Sequence, residues 1–267
     1  MLEVSFLNRR SKVFITKLKE FLWFGLFSLL LSCNGENTPD CFQNAGNLVR
    51  ESVEVSEFDA ITVFENINLV IQQGEEQSVE IETGEYLRND VSATVTDGRL
   101  MLRNENSCNF FRDYALTTIY VTAPNIVQIR SSTGLLISSI GMLNYPSLSL
   151  VSESFTEPEA QTTDGTFDLN VNSENVQITT NGIAYFKLRG TTIDFGITIA
   201  AGDSRIEAEN LIAQNVDINH RGSNDVFVNP QLRISGVIRG VGDVISSNRP
   251  PEVEVEELFN GRLIFED

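Results

Sequence analysis

Six glycines recur late in this chain at an almost constant step: Gly165, Gly182, Gly202, Gly222, Gly242 and Gly261, separated by 17, 20, 20, 20 and 19 residues. Between them lie short runs in which apolar and polar residues alternate, such as Phe167-Asp168-Leu169-Asn170-Val171 and Ile193-Asp194-Phe195-Gly196-Ile197-Thr198-Ile199. Alternation at period two puts the apolar side chains on one face of a strand. A repeat near 20 residues, holding several strands and no helical pattern, points to a β-solenoid, in which each coil buries its apolar face against its neighbours. The spacing predicts a single stack over residues 58–267, with roughly ten coils at about 4.8 Å each and a length on the order of 50 Å. In such a stack Gly202, Gly222 and Gly242 form a row at one corner, where positive φ excludes β-branched residues. Ile197, Ile218 and Ile238 then turn inward.

The first 32 residues read as an export signal. Arg9, Arg10, Lys12, Lys17 and Lys19 make a basic n-region, and Phe21 to Leu31 is an apolar h-region of 11 residues. That run is too short to span a bilayer as a helix, which needs about 20 apolar residues. It ends in Leu30-Leu31-Ser32-Cys33, which resembles the lipobox of bacterial lipoproteins. The resemblance implies that Cys33 is acylated and becomes the first residue of a tethered protein, since two or three acyl chains anchor stably where one does not.

Cleavage there removes five of the 19 lysines and arginines and two of the 37 acidic residues, leaving a formal charge of −21. A surface of that sign repels nucleic acid and anionic lipid, which sets nucleic-acid binding aside. Cys41 and Cys108 remain as an even pair in an oxidising compartment. Read as a disulfide, they close a loop of about 67 residues with a chain-entropy effect of roughly 4 kcal/mol; the alternative is two free thiols. Neither a third thiol nor a nearby histidine completes a metal site with them.

Residues 33–57 form a tether and N-terminal segment, whose first half is polar and turn-rich and is assigned no regular structure. Strand patterns then follow closely, with Ile61 and Val63, Ile67, Leu69 and Ile71, Val79 and Ile81, Val91 to Val95, and Leu100 and Leu102. Only Glu85 to Asn89 could make a helical turn. Asp97-Gly98, set between two strand patterns, is either a hairpin turn or a sharp corner with glycine at positive φ. Phe110-Phe111-Arg112-Asp113-Tyr114 is read as a cap on the open end of the stack. From Ser152 to Gly165 the chain is acidic and aperiodic (Glu153, Glu157, Asp164), and is read as a protruding, solvated loop.

The turns Gly222-Ser223-Asn224-Asp225-Val226 and Gly240-Val241-Gly242-Asp243-Val244 match at an offset of 18, with Asn260-Gly261-Arg262-Leu263 as a third variant. With Phe58 to Val63, Ile67 to Gly74 and Asp97 to Leu100, these residues resemble the putative auto-transporter adhesin, head GIN domain family. The resemblance covers about residues 53–267. It implies a right-handed parallel β-helix on a lipoprotein or other exported protein of the Bacteroidetes type, anchored in the envelope at the outer membrane or cell surface. It also decides Asp97-Gly98 for the corner, or a small excursion at the N-terminal end. Asn224 stands where the family has glycine, and asparagine tolerates the left-handed conformation. Val241 stands where the family has serine. Asp225 and Asp243 are read as corner residues accepting backbone N–H bonds, rather than as calcium ligands.

For catalysis the chain offers little. Its one histidine, His220, is read as a corner or surface residue. A Ser-His-Asp triad would have to use it, and a site of several histidines is impossible. The acids are numerous, but none is set apart by spacing as a glycosidase pair. Gly240-Val241-Gly242 is no phosphate loop, because no helix or lysine follows it. The reading is therefore a non-enzyme without cofactor or metal, a surface-exposed binding or adhesion module for a glycan or protein ligand. The alternatives are a structural envelope component without a specific ligand and, third, a carbohydrate-active enzyme.

Overall fold

The alternating runs do become strands. In the computed structural model, whose described residues are 43–106, 116–156, 159–160 and 162–266, the chain is almost wholly β. The first part holds β1 (Leu48–Val53), β2 (Ala60–Val63), β3 (Asn68–Gln73), β4 (Ser78–Gly84), β5 (Val91–Thr96), β6 (Arg99–Asn104), β7 (Thr118–Ala123), β8 (Gln128–Ser131) and β9 (Leu136–Ile140). A 3-10 turn at Glu85–Asp90 falls where the sequence predicts one. The second part holds β10 (Ser147–Ser152), β11 (Thr166–Thr180), β12 (Tyr185–Ile199), β13 (Arg205–His220), β14 (Val226–Ile238), β15 (Val244–Ser246), β16 (Glu252–Glu257) and β17 (Leu263–Phe265). All belong to one 17-stranded sheet, curved until it is nearly closed like the wall of a barrel.

In the second part the pairing is parallel throughout and advances by one sequence period per step. Thr166 lies beside Tyr185, Tyr185 beside Arg205, Ile206 beside Val226 and Val226 beside Val244. Each long strand carries a corner. In β11 the buried positions run Phe167, Leu169 and Val171, then change phase to Val176 and Ile178; in β12 they run Phe186 and Leu188, then Phe195, Ile197 and Ile199. Phase changes of this kind move the inward face from one wall to the next. The register also stacks like on like, with the Phe167 and Phe186 rings 4.7 Å apart and nearly parallel. Burying each such ring contributes about 1.5 to 3 kcal/mol. Ile197, Ile218 and Ile238 are buried as expected, whereas Ile193 sits at the corner and is exposed.

The expected glycine row holds for Gly202 and Gly222 but not for Gly242, because the register sets Gly240 over Gly222 and Gly242 over Asn224. Gly202 N–H aside, the carbonyls form the column: Gly182 O accepts from Asp203 N, Gly202 O from Ser223 N, Gly222 O from Gly242 N, and Gly240 O from Gly261 N. Gly202 has φ of +89°, but Gly222, Gly242 and Asn224 are not in the left-handed region, which corrects the expectation for all three. A Cβ on Gly242 would instead stand 2.0 Å from Asn224 O. Glycine is required there because the backbone of the preceding turn occupies the space. Gly165 is not in the column, since Gly182 lies over Thr163.

The single parallel stack expected over residues 58–267 does not describe the first part. β4 runs antiparallel to both β1 and β7, and β5 antiparallel to β6. For β5 and β6 the reason is local. Asp97 and Gly98 both have positive φ, +50° and +75°, which is the two-residue hairpin geometry whose twist matches paired strands. The corner reading of Asp97-Gly98 is thereby overturned. β1 also joins the sheet ahead of the boundary expected at residue 58.

Candidate functional site

A cleft of about 730 Å³ opens where four segments of the first part meet, lined by Glu57, Phe58, Asp59, Glu75, Gln77, Asp97, Gly98, Pro124 and Asn125. Its frame is backbone. Gly98 O, in the hairpin turn, accepts the Asp59 N–H at 3.0 Å, and Asp59 O accepts the Val127 N–H at 2.7 Å. The Gln77 amide spans the fourth segment, receiving the Phe58 N–H at 3.3 Å and donating back to Phe58 O. Phe58 is buried beneath. Carboxylates of Glu57, Asp59, Glu75 and Asp97 therefore surround a rigid floor, with Pro124 as an apolar wall. The amide oxygen of Asn125 is buried without a hydrogen-bond partner, so one acceptor in the lining is unused. An unused buried acceptor is costly. The sequence drew attention to the Asp97-Gly98 turn but not to its convergence with Asn125, which follows from β6 and β8 flanking β2 in parallel.

Of the site residues read from the sequence, Cys33, Cys41 and Cys108 lie outside the described residues, as do the leader and Phe110 to Tyr114. Asp225 and Asp243 act as corner residues. Asp225 Oδ1 accepts the Asp243 N–H at 3.0 Å, and Asp243 Oδ1 accepts the Arg262 N–H at 2.8 Å, so each carboxylate ties one turn to the next. Asn224 holds its turn through its side chain, accepting the Asp225 N–H at 2.9 Å. Among the described residues no three His, Cys, Asp or Glu side chains converge where a metal could bind.

His220 is at a corner but not at the surface. It is fully buried, in register between Ile199 and Ile238. Nδ1 accepts the Gly222 N–H at 3.3 Å, whereas Nε2 has no hydrogen-bond partner. Burial pushes its pKa down, offset in part by the Asn224 and Gly242 backbone and the Asp225 and Asp243 carboxylates. The solvated loop expected from Ser152 also needs correction, because Ser152 and Glu153 are buried and Glu153 is paired with Arg130.

A second polar surface crosses the outer face of β12 to β14. Tyr185 OH donates to Glu207, which also accepts from Arg205 Nε at 2.9 Å, and the Arg205 guanidinium lies 4.7 Å over the Phe227 ring. Burial and then Glu207 push the Tyr185 hydroxyl up to about 12. Tyr185 and Arg205 in turn hold the Glu207 carboxyl below its usual range. These groups satisfy one another and form a ladder across turns rather than a concave site.

Residues 57–250 match the model of the family described as putative auto-transporter adhesin, head GIN domain. The chain is similar in fold to a putative adhesin from Bacteroides fragilis at 20% identity and TM-score 0.71, the match covering 82% of this chain and 97% of that one. It is similar to a putative lipid binding protein from Parabacteroides distasonis at 15% identity and TM-score 0.56, covering 83% and 98%. A putative adhesin from Parabacteroides merdae matches at 17% identity and TM-score 0.53, again covering 83% and 98%. At these identities the likeness speaks for the fold. No curated protein matches the chain.

Proposed function

Because this chain belongs to the putative auto-transporter adhesin, head GIN domain family, we propose that it is a cell-envelope lipoprotein acting as a surface-exposed binding module. The cleft between Asp59 and Asn125 is its ligand site in this reading, and the unused Asn125 oxygen is the observation that carries it. Carboxylates and amides facing a ligand across a rigid floor suit a polyhydroxyl ligand, so a glycan is the substrate class we favour. The family's description names adhesion and no reaction, which supports binding without turnover. The parallel register from β10 onward supports reading that part as coils of a right-handed β-helix that presents the cleft.

Anchoring is proposed through Cys33, with the Cys41–Cys108 pair joined as a disulfide. Replacing Cys33 by serine should move the expressed protein out of the membrane fraction; unchanged fractionation with the envelope would end the lipobox reading. A glycan array combined with a turnover assay on the same glycans tests the site. Binding without cleavage, lost in Asn125→Ala, supports the module. Cleavage would make the protein a carbohydrate-active enzyme, and the absence of both binding and cleavage would favour a structural envelope component.

A further inference from the structure

Both ends of the sheet have strands paired on one side only among the described residues, β1 and β5 at the first end and β16 and β17 at the other. In the first part β2 is paired on both sides, by β6 and β8, and β3 by β7 and β9, with β5, β4 and β1 laid antiparallel beyond them. At the other end β16 pairs only with β14 and β17 only with β15, so among the described residues their outer edges carry no strand. The core is open there too: Val253 is 41% exposed although its register partner Ile234 is fully buried, and Phe259 is 57% exposed.

From the register, the bonding capacity of this edge can be assigned. Leu258 N donates to Ile238 O and Glu266 N to Ser246 O, so alternation turns the N–H groups of Val253, Val255, Leu263 and Phe265 outward. One of these is already answered: Leu263 N donates to the Glu257 carboxylate at 2.8 Å. The charge on the edge is one-sided. Residues 252–266 hold five glutamates, Glu252, Glu254, Glu256, Glu257 and Glu266, against one arginine, Arg262, and of these Glu254 is paired at 3.0 Å with Arg233 of β14. Carboxylates alternating with Val253 and Val255 oppose pairing with a second copy, because antiparallel or parallel self-addition sets glutamate against glutamate.

We propose that the outer edge of β16 and β17 takes an extended cationic segment of a partner protein as an added strand. Its main chain meets the outward N–H and C=O groups of Val253 and Val255. Its lysines or arginines lie beside Glu252 and Glu256, and its alternate aliphatic residues cover Val253 and Val255. Backbone bonds give such a strand its hold and the alternate side chains its selectivity. This site is separate from the cleft and does not depend on it.

The peptide Lys-Val-Lys-Val-Lys-Val, measured by calorimetry against the full exported chain, should bind at least ten-fold more tightly than Lys-Lys-Lys-Val-Val-Val, which has the same charge and composition. Val255→Pro, which removes an outward N–H and leaves the β14 ladder intact, should bring the first peptide down to the second. Glu252→Lys with Glu256→Lys on the surface should weaken it at least ten-fold without relying on the proline variant. Amide exchange on binding should slow within residues 252–265. Equal binding of the two peptides, or slowed exchange confined elsewhere, would overturn the proposal. So would a concentration-dependent dimer that Val255→Pro dissolves, since the occupant would then be a second copy.

Discussion

Arg130 and Glu153 form an ion pair at 2.7 Å that is nearly sealed from solvent, at 8% and 3% exposure. The guanidinium also donates to Glu153 O at 3.0 Å and to Thr156 Oγ1 at 2.7 Å, and the carboxylate accepts the Phe155 and Thr156 N–H groups. The pair thus ties the segment after β10 to β8, one step down the sheet. Removing one partner leaves a buried charge without its counterion, so Glu153→Ala should cost about 3 kcal/mol or more. Arg130→Met combined with Glu153→Gln should cost less than the two single losses together. Chemical denaturation of the four proteins checks the sign of that coupling, and strict additivity would show that the pair does not act as a unit.

Two groups give the stability profile two separate acid limbs. Burial alone would raise the Glu153 pKa, but hydrogen bonds from Thr156, Arg130 and Phe155 outweigh it and hold the group below the ordinary 4.5. Its contribution is full above that value and is lost as pH falls below it. His220 is a base whose pKa burial lowers from 6.5, so the unfolded chain takes up its proton first. Stability should therefore be full above about pH 6.5 and decline below it, ahead of the carboxylate limb. His220→Ile, matching its neighbours Ile199 and Ile238, should flatten the decline between pH 7.5 and 5.5 in melting temperature while changing the value at pH 7.5 little. An unchanged slope would mean that another group sets it.

What could be read from the sequence was the part governed by repetition. The period placed the column through Gly182, Gly202 and Gly222, the inward isoleucines and the corner role of Asp225 and Asp243, and missed the shorter last step, where an offset of 18 puts Gly240 rather than Gly242 over Gly222. The first part was less legible. There the partners of β4 are β1 and β7, and nothing in the alternation of Val79 and Ile81 distinguishes a parallel from an antiparallel neighbour. The cleft was invisible too, as it needs Asp97 and Asn125 set on either side of Asp59 by the parallel pairing of β6 and β8 with β2, and Gln77 brought in by antiparallel β4. Glu153 was misjudged because an acidic run reads as solvated unless its partner, Arg130 in β8, is known to lie beneath it.

Cys41 and Cys108 should be linked in the exported protein. Non-reducing peptide mapping should find one bridged pair, and reduction should loosen the segment before β1 more than β12 to β14. Free thiols on both residues after export would exclude the bridge.

The glycines give the most discriminating test of the fold, because three of them are required for different reasons. A Cβ on Gly242 would lie 2.0 Å from the Asn224 carbonyl oxygen, a backbone atom that cannot yield without opening the turn below. On Gly222 the nearest atoms would be Ile199 Cγ2 at 2.9 Å, His220 Cε1 at 3.1 Å and Gly202 O at 3.2 Å, of which the first is the tip of a side chain. On Gly98 the space is open, the nearest atom lying at 3.9 Å, but φ is +75°. Gly98→Ala should therefore cost about 1 kcal/mol, the ordinary penalty of a left-handed position. Gly222→Ala should cost a similar amount through repacking of Ile199, and Gly222→Val more. Gly242→Ala should exceed both, at about 3 kcal/mol or more, because the backbone itself must move. Val241→Ser, exposed and adjacent, is the control and should be nearly neutral. Melting temperatures of the four alanine and serine variants rank these causes. If Gly242→Ala proved as mild as Gly98→Ala, the close stacking of turns at this corner would be wrong, and with it the register from β13 to β15.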